Sequence, residues 1–228
     1  MEFNVAKIIK IDKVSDDAIS FTLKLDNNWP KFYPGQFCYL KFNNDFNMIR
    51  PYSIASDYNT YLQDGIIEFV IKQMPNGLVS NYAKNNLVVN DQINISSPRG
   101  NLSIKDKNMN NIIFIAGGSG ITMIKTFINH CISTNKNLYL LYGVKFSNQI
   151  MFEEYFQSIK SPNFKYKIFI SNELSNKYNN GFIDKNIISD VLKECSYDSV
   201  IIVGPEVMIS KMESNLKEIN YSGNIYIE

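Results

Sequence analysis

What this sequence has little of already narrows its chemistry. It holds one histidine, His130, in 228 residues. A Ser–His nucleophilic pair would have to use that residue, which falls late in a predicted helix, and no nucleophile-elbow sequence accompanies it. Cysteine is limited to Cys38, Cys131 and Cys195, widely spaced and without a Cys-x-x-Cys pair. That spacing excludes a local zinc ribbon or an iron–sulfur cluster built by this chain alone, and reduced, mostly buried thiols are expected. Neither sign of charge prevails: 23 Lys and Arg against 22 Asp and Glu leave a net charge of +1, with no basic run. Nucleic acid and anionic membranes are therefore not expected partners. The longest apolar runs, such as residues 112–116, fall far short of a bilayer span. The first 14 residues alternate apolar and polar side chains and lack the basic-then-apolar order of a signal peptide, so a cytoplasmic location is expected.

What is present is an ordinary globular composition, 45% apolar and 20% charged, in a chain long enough for one large domain or two small ones. The first hundred residues read as six short strands, 3–14, 18–25, 36–42, 50–56, 65–72 and 91–97, each rich in β-branched or aromatic residues. Turn formers separate them, among them Asp26-Asn27-Asn28, Pro34-Gly35 and Pro98-Arg99-Gly100. This pattern predicts a small antiparallel β-barrel. One short helix interrupts it, starting at Gly77 after Pro75-Asn76 and carrying Ser80 in its first turn. Beyond about residue 104 the period changes. Near-continuous apolar strands at 112–116, 138–142, 164–170 and 199–203 alternate with predicted helices near 121–131, 150–160, 185–193 and from Pro205 onward, and a last strand runs over 224–227. That alternation predicts a doubly wound parallel sheet. The domain boundary is placed in the polar stretch 105–111, dividing residues 1–104 from 105–228.

Three stretches carry residue types suited to binding phosphates and planar rings. Arg50-Pro51-Tyr52-Ser53 joins a guanidinium, a rigid residue, an aromatic ring and a hydroxyl on one extended segment, where Arg50 and Tyr52 share a face. The Gly77 helix start offers free backbone N–H groups and a positive dipole end. Gly117-Gly118-Ser119-Gly120 follows a strand and opens a helix, the setting a pyrophosphate needs, although it departs from the G-x-G-x-x-G fingerprint. Gly204-Pro205-Glu206 adds a second glycine turn on the same sheet edge.

The ordered set Arg50-Pro51-Tyr52-Ser53, Ile71-Lys72, Gly77-x-x-Ser80, Ser97 to Leu102, Gly117 to Thr122, Tyr142-Gly143-x-Lys145 and Gly204-Pro205-x-x-Met208 resembles the ferredoxin–NADP reductase superfamily, in its oxygenase-reductase and flavin-reductase branch, over essentially the whole chain. The resemblance implies an FAD-binding barrel followed by an NAD(P)-binding domain, with hydride passing from nicotinamide to flavin N5. Arg50, beside Pro51, would hold the FAD pyrophosphate, Tyr52 would stack on the isoalloxazine and Ser53 would hydrogen-bond near N5. Val70, Ile71 and Lys72 would line the flavin, and Gly77, Leu78, Val79 and Ser80 would take its pyrophosphate. The nicotinamide cofactor would meet Gly117, Gly118, Ser119, Gly120, Ile121, Thr122, Tyr142, Gly143, Lys145, Gly204, Pro205, Glu206 and Met208. Ser53, Tyr52 and Glu228 are the catalytic residues so implied.

Several positions depart from the family pattern. Val203 replaces the usual Cys before Gly-Pro, and Met123 the usual Pro after the glycine turn. Many members carry Glu then an aromatic at the C-terminus. Here the sequence stops at Glu228, which leaves an open flavin face or a shortened chain as the two readings. The chain carries no ferredoxin domain, so the acceptor would be a separate molecule: a ferredoxin, a flavodoxin, an oxygenase component, or free flavin as substrate. A subunit active only inside a larger complex is the reading from another class. Ser171-Asn172-Glu173 stands where NADP-preferring members place Ser-Arg, so NADH is expected over NADPH, with Lys145 the one nearby cation able to oppose that.

Overall fold

The computed structural model describes residues 2–26, 28–43, 45–100, 102 and 109–228, apart from the side chain of Phe46. The chain forms two compact units, one built mainly from residues up to 105 and one mainly from those after it. Most of the polar stretch in which the sequence places the boundary lies outside the described residues.

In the first unit six strands pair antiparallel: β1 (Asn4–Ser15), β2 (Ala18–Lys24), β3 (Phe37–Lys41), β4 (Ile49–Ser53), β5 (Ile66–Lys72) and β6 (Gln92–Ile95). Their order is β4-β3-β6-β1-β2-β5. The two outermost strands meet through a bridge between Ile54 and Phe69 and a hydrogen bond from Ala55 N–H to the Glu68 carbonyl at 2.8 Å, which closes the sheet into the expected barrel. Alternation fills its interior. Cys38 and Leu40 of β3 and Ile67, Phe69 and Ile71 of β5 point into one core with Phe21, Leu23, Phe42 and Ile95. The buried Cys38 thiol is pushed up to about 12 by loss of hydration and stays protonated.

Two helices interrupt the strands. The helix α2 (Leu78–Asn86) is the one the sequence anticipates, whereas α1 (Tyr58–Asp64) occupies what reads as a turn. Asp57 caps α1 by accepting from Thr60 N–H at 2.8 Å, and Gly65 ends it in the left-handed conformation at φ 63°. Tertiary contacts hold so short a helix: buried Tyr61 accepts from Trp29 N–H at 2.7 Å and donates to the Asp26 carbonyl at 2.9 Å.

The second unit is an open sheet of order β10-β9-β8-β7-β11-β12, made of β7 (Asn111–Gly117), β8 (Asn137–Val144), β9 (Phe164–Ile170), β10 (Asn179–Asn180), β11 (Ser199–Val203) and β12 (Asn224–Ile227), all parallel. Helices α3 (Ile121–Cys131), α4 (Glu153–Ser158), α5 (Lys185–Glu194) and α6 (Glu206–Glu218) make the connections. The middle strands are buried along nearly their whole length, as parallel strands covered on both faces must be. α4 is shorter than the predicted 150–160 because Phe152 takes a left-handed backbone, φ 61°, that no helix interior accommodates. At the amino end of the sheet Asp198 accepts from the N–H groups of Asn110 and Asn111 and from the Ser199 hydroxyl, so the start of β7 is tied to that of β11. The strand order reverses between β7 and β11. In open α/β sheets ligands bind beyond the carboxyl ends of the strands at such a reversal. Among the described residues no helix is long and apolar enough to cross a membrane.

Candidate cofactor sites

In the first unit Arg50, Pro51, Tyr52 and Ser53 lie consecutively on β4, opposite Leu40, Tyr39, Cys38 and Phe37 of β3. Tyr52 is half-buried, its ring edge-on to Phe42 at 6.2 Å, and Phe42 in turn meets Phe21 edge-on at 6.4 Å. Burial, only partly offset by the Arg50 charge, pushes the Tyr52 hydroxyl up to about 12, so it is neutral near pH 7. Arg50 is exposed, and its Nη1 donates to the carbonyls of Asn47 and Ile49 at 3.1 and 2.7 Å. No other nitrogen of that guanidinium has a partner recorded among the described residues, which suits a fork onto a phosphate.

The segment implied to line a flavin divides in two. Ile71 belongs to the barrel core and Val70 is buried as well, while Lys72 pairs with Asp17 at 3.3 Å. At the start of α2, Gly77 is the cap and supplies no side-chain bond to the first turn. Ser80 is buried and already engaged: its Oγ accepts from Met74 N–H at 3.1 Å. A Cβ on Gly77 would stand 2.4 Å from that oxygen. The glycine therefore makes room for Ser80, and what Leu78, Val79 and Ser80 offer an anion is backbone N–H, not hydroxyl.

In the second unit β7 ends at Gly117, a single turn covers Gly118–Gly120, and α3 begins at Ile121. A Cβ on Gly120 would lie 2.3 Å from the Val203 carbonyl oxygen, one on Gly117 2.6 Å from the Met208 sulfur, and one on Gly204 2.6 Å from the Met208 methyl. These three glycines let the tips of β7 and β11 close on each other beneath Met208. Gly118 takes φ 51°, a left-handed position that suits glycine. Ser119 is exposed and Ile121 buried. Thr122, only 3% exposed, has a buried hydroxyl that finds no hydrogen-bond partner among the described residues. A buried orphan hydroxyl is costly to keep, and one in the first turn of a helix at the reversal point is placed to meet a ligand oxygen.

Tyr142 is fully buried, with its oxygen accepting from Met151 N–H at 3.4 Å, so its ring belongs to the core. Gly143 lies near the carboxyl end of β8, and exposed Lys145 follows just beyond it. Pro205 and Glu206 are exposed at the start of α6. Glu228 lies beside the β11 tip: its N–H donates to Ile202 at 3.0 Å and its carbonyl accepts from Gly204 N–H at 3.3 Å.

Glu173, which the sequence reading sets against a 2′-phosphate, accepts from Ser147 N–H at 2.6 Å, and its hydrogen bonds from Ser147 hold the carboxyl below the usual value. The sequence reading missed the bracing of this connection altogether. Ser175, Tyr178 and Asn180 carry no spacing signal, because the partners they reach are set by the fold.

Residues 5–104 match the family model of an oxidoreductase FAD-binding domain, and residues 114–214 that of an oxidoreductase NAD-binding domain. The chain belongs to the ferredoxin–NADP reductase superfamily. This member is 26% identical over 220 residues to the phenol hydroxylase P5 protein of Acinetobacter pittii, covering 93% of this chain and 61% of that one. It is 29% identical over 195 residues to the anthranilate 1,2-dioxygenase electron transfer component of Acinetobacter baylyi, covering 82% and 54%. Its fold matches a ferredoxin NADP+ reductase from Neisseria gonorrhoeae, solved with bound FAD and NADP, at a TM-score of 0.85 and 17% identity over 100% of this chain and 98% of that one. The chain spans between half and two thirds of the length of the first curated relatives it matches. The donor sets fit the two cofactors: an exposed guanidinium and an uncapped helix start in the FAD-binding segment, and a glycine turn with an orphan hydroxyl in the NAD-binding one.

Proposed function

We propose that the chain is an FAD-dependent NAD(P)H oxidoreductase that hands electrons to a separate acceptor, such as a ferredoxin, a flavodoxin or an oxygenase component. The observation that carries this reading is the pairing, in one chain, of an FAD-binding domain and an NAD-binding domain, with an exposed guanidinium in the first and, among the described residues, a buried hydroxyl without a partner in the second. When bound, the flavin supplies the chemistry, accepting a hydride from reduced nicotinamide and releasing electrons one at a time.

The chain's own residues bind and orient. Arg50 forks onto the FAD pyrophosphate together with the α2 backbone. Tyr52, held on edge by Phe42, presents a ring face, and Ser53 offers a hydroxyl beside it. Thr122 and the Gly117–Gly120 turn receive the dinucleotide phosphates. Asn172 and Glu173 put a carboxylate where a 2′-phosphate would need a cation, which favours NADH. The likeness to an anthranilate 1,2-dioxygenase electron transfer component supports an acceptor of the oxygenase type.

The deciding experiment is the spectrum and turnover of the purified protein. A yellow protein with an oxidised-flavin spectrum that oxidises NADH with an artificial acceptor supports the reading. A colourless protein active only with added flavin would assign flavin as substrate. Comparing kcat/KM for the two cofactors checks the preference, and a clear advantage for NADPH would overturn the role given to Glu173.

A further inference from the structure

The connection between β9 and β10 is braced well beyond the needs of a surface loop. Ser175 and Asn180 hold each other: Asn180 Oδ1 accepts from Ser175 N–H at 2.7 Å and its Nδ2 donates to the Ser175 carbonyl at 3.0 Å. Ser175 Oγ accepts from the N–H groups of Lys177 and Tyr178, both at 3.1 Å. At the other end Ser171 N–H donates to Val144, Asn172 N–H to Lys145, and Glu173 accepts from Ser147.

One carboxylate outside the connection pins its middle. Tyr178 donates its hydroxyl to Glu153 Oε2 at 2.7 Å, while Lys177 Nζ lies 2.9 Å from Glu153 Oε1, which also accepts from Gln157 at 2.9 Å. Burial alone would raise the Glu153 carboxyl, but the bonds from Lys177, Tyr178 and Gln157 outweigh it and hold the group below its usual value. Glu153 opens α4 immediately after Phe152, whose left-handed backbone is unusual for an aromatic residue. Such strain persists only where the surroundings over-determine it, and here it fixes the direction in which Glu153 leaves the chain.

Within the braced connection and just beyond β10, large apolar side chains stand in water. Leu174 is 92% exposed, and Phe182, just beyond β10, is 76% exposed. Both stand at the carboxyl ends of the strands, the side on which this fold receives a dinucleotide. Holding a leucine rigidly in water has no folding benefit, so the rigidity is explained by something that lands on it.

We infer that Glu153 is a positioning residue. By pinning Lys177 and Tyr178 it fixes residues 171–178 as a preformed wall of the dinucleotide site, and so sets NAD(P)H affinity without touching the cofactor. The inference rests on the proposed use of the second unit for NAD(P)H.

The test uses the 228-residue chain loaded with FAD, as wild type and as Glu153→Ala, Glu153→Gln and Tyr178→Phe. Steady-state kinetics with an artificial acceptor give KM and kcat, and mass spectrometry follows tryptic cleavage after Lys177 with and without NAD+. Glu153→Ala should raise KM for NADH about tenfold and leave kcat within about twofold. Glu153→Gln, which keeps an acceptor for Tyr178, should restore most of the loss, and Tyr178→Phe should fall between them. Cleavage after Lys177 should quicken in Glu153→Ala, and NAD+ should slow it in wild type. Faster cleavage with an unchanged KM would overturn the inference alone. So would a joint fall in kcat and melting temperature that the Gln variant does not rescue. A wild type that neither saturates with NADH or NADPH nor gains protection from NAD+ would overturn the proposed function and this inference together.

Discussion

The two units each offer a helix start to a phosphate, and they build it in opposite ways. At α2 the nearby hydroxyl, Ser80, is spent inside the turn on Met74 N–H, and Gly77 is there to make room for it. That site is finished before any ligand arrives, and only backbone N–H groups remain to be used. At α3 the hydroxyl of Thr122 is buried with no partner among the described residues, and the glycines around it are committed to packing two strand tips beneath a methionine. On the proposed reading, that site is completed by its ligand. A backbone site tolerates side-chain change, because what binds is a property of the helix. A site with an orphan hydroxyl concentrates its affinity in one atom.

The largest effect should come from the packing that the second site depends on. In Gly120→Ala the new methyl meets the Val203 carbonyl, which is backbone and cannot swing aside. We expect a loss of about 3 kcal/mol or more in the stability of the second unit, read by chemical denaturation. A loss below about 1 kcal/mol would mean that the tips of β7 and β11 are looser than described. Next is Arg50, the side chain proposed to hold the FAD pyrophosphate in the first site. Arg50→Ala should weaken FAD retention about 10- to 100-fold, and Arg50→Lys should recover only part of it, because a point charge does not fork. Absorbance after gel filtration measures both, and full retention in Arg50→Ala would remove the residue from the site.

Thr122→Val sharpens the contrast directly. It keeps the shape and deletes the orphan oxygen, so stability should hold or rise by up to about 1 kcal/mol while NADH affinity falls about tenfold. Equal affinity would make Thr122 a packing residue and the two helix starts equivalent. The smallest effect should be that of Ser53→Ala, which should slow flavin reduction about three- to tenfold in stopped-flow bleaching and leave flavin binding nearly intact.

Most of this architecture is legible in the sequence because period carries it. The strands of the barrel alternate, those of the parallel sheet do not, and each reading follows from which faces are buried. The elements that escaped are short ones held by distant partners. The helix α1 spans seven residues and depends on Tyr61 reaching Asp26 and Trp29, and β10 is two asparagines whose pairing with β9 is supported by bonds back to it from Gly181 and Asn179. The site is legible as motifs, but not as roles. Tyr142 stands in a motif and is core, Ile71 likewise, and Ser80 reads as a ligand for phosphate while serving its own turn. Motif spacing tells which backbone is brought to a site. Whether a side chain is free to act there is decided by neighbours that spacing does not reveal.

The Asp198 clamp bears on how the chain is made. β7 is the first strand of its sheet in sequence and lies in the interior of the order, flanked by β8 and β11. On the ribosome β8 follows soon after, but the residue that ties down Asn110 and Asn111 stands 88 and 87 positions downstream. At roughly 5–20 residues per second, several seconds pass in which one side of an almost wholly apolar strand has no neighbour. The nascent second unit is therefore most exposed to aggregation during that interval, and slowing translation through α5 would lengthen it.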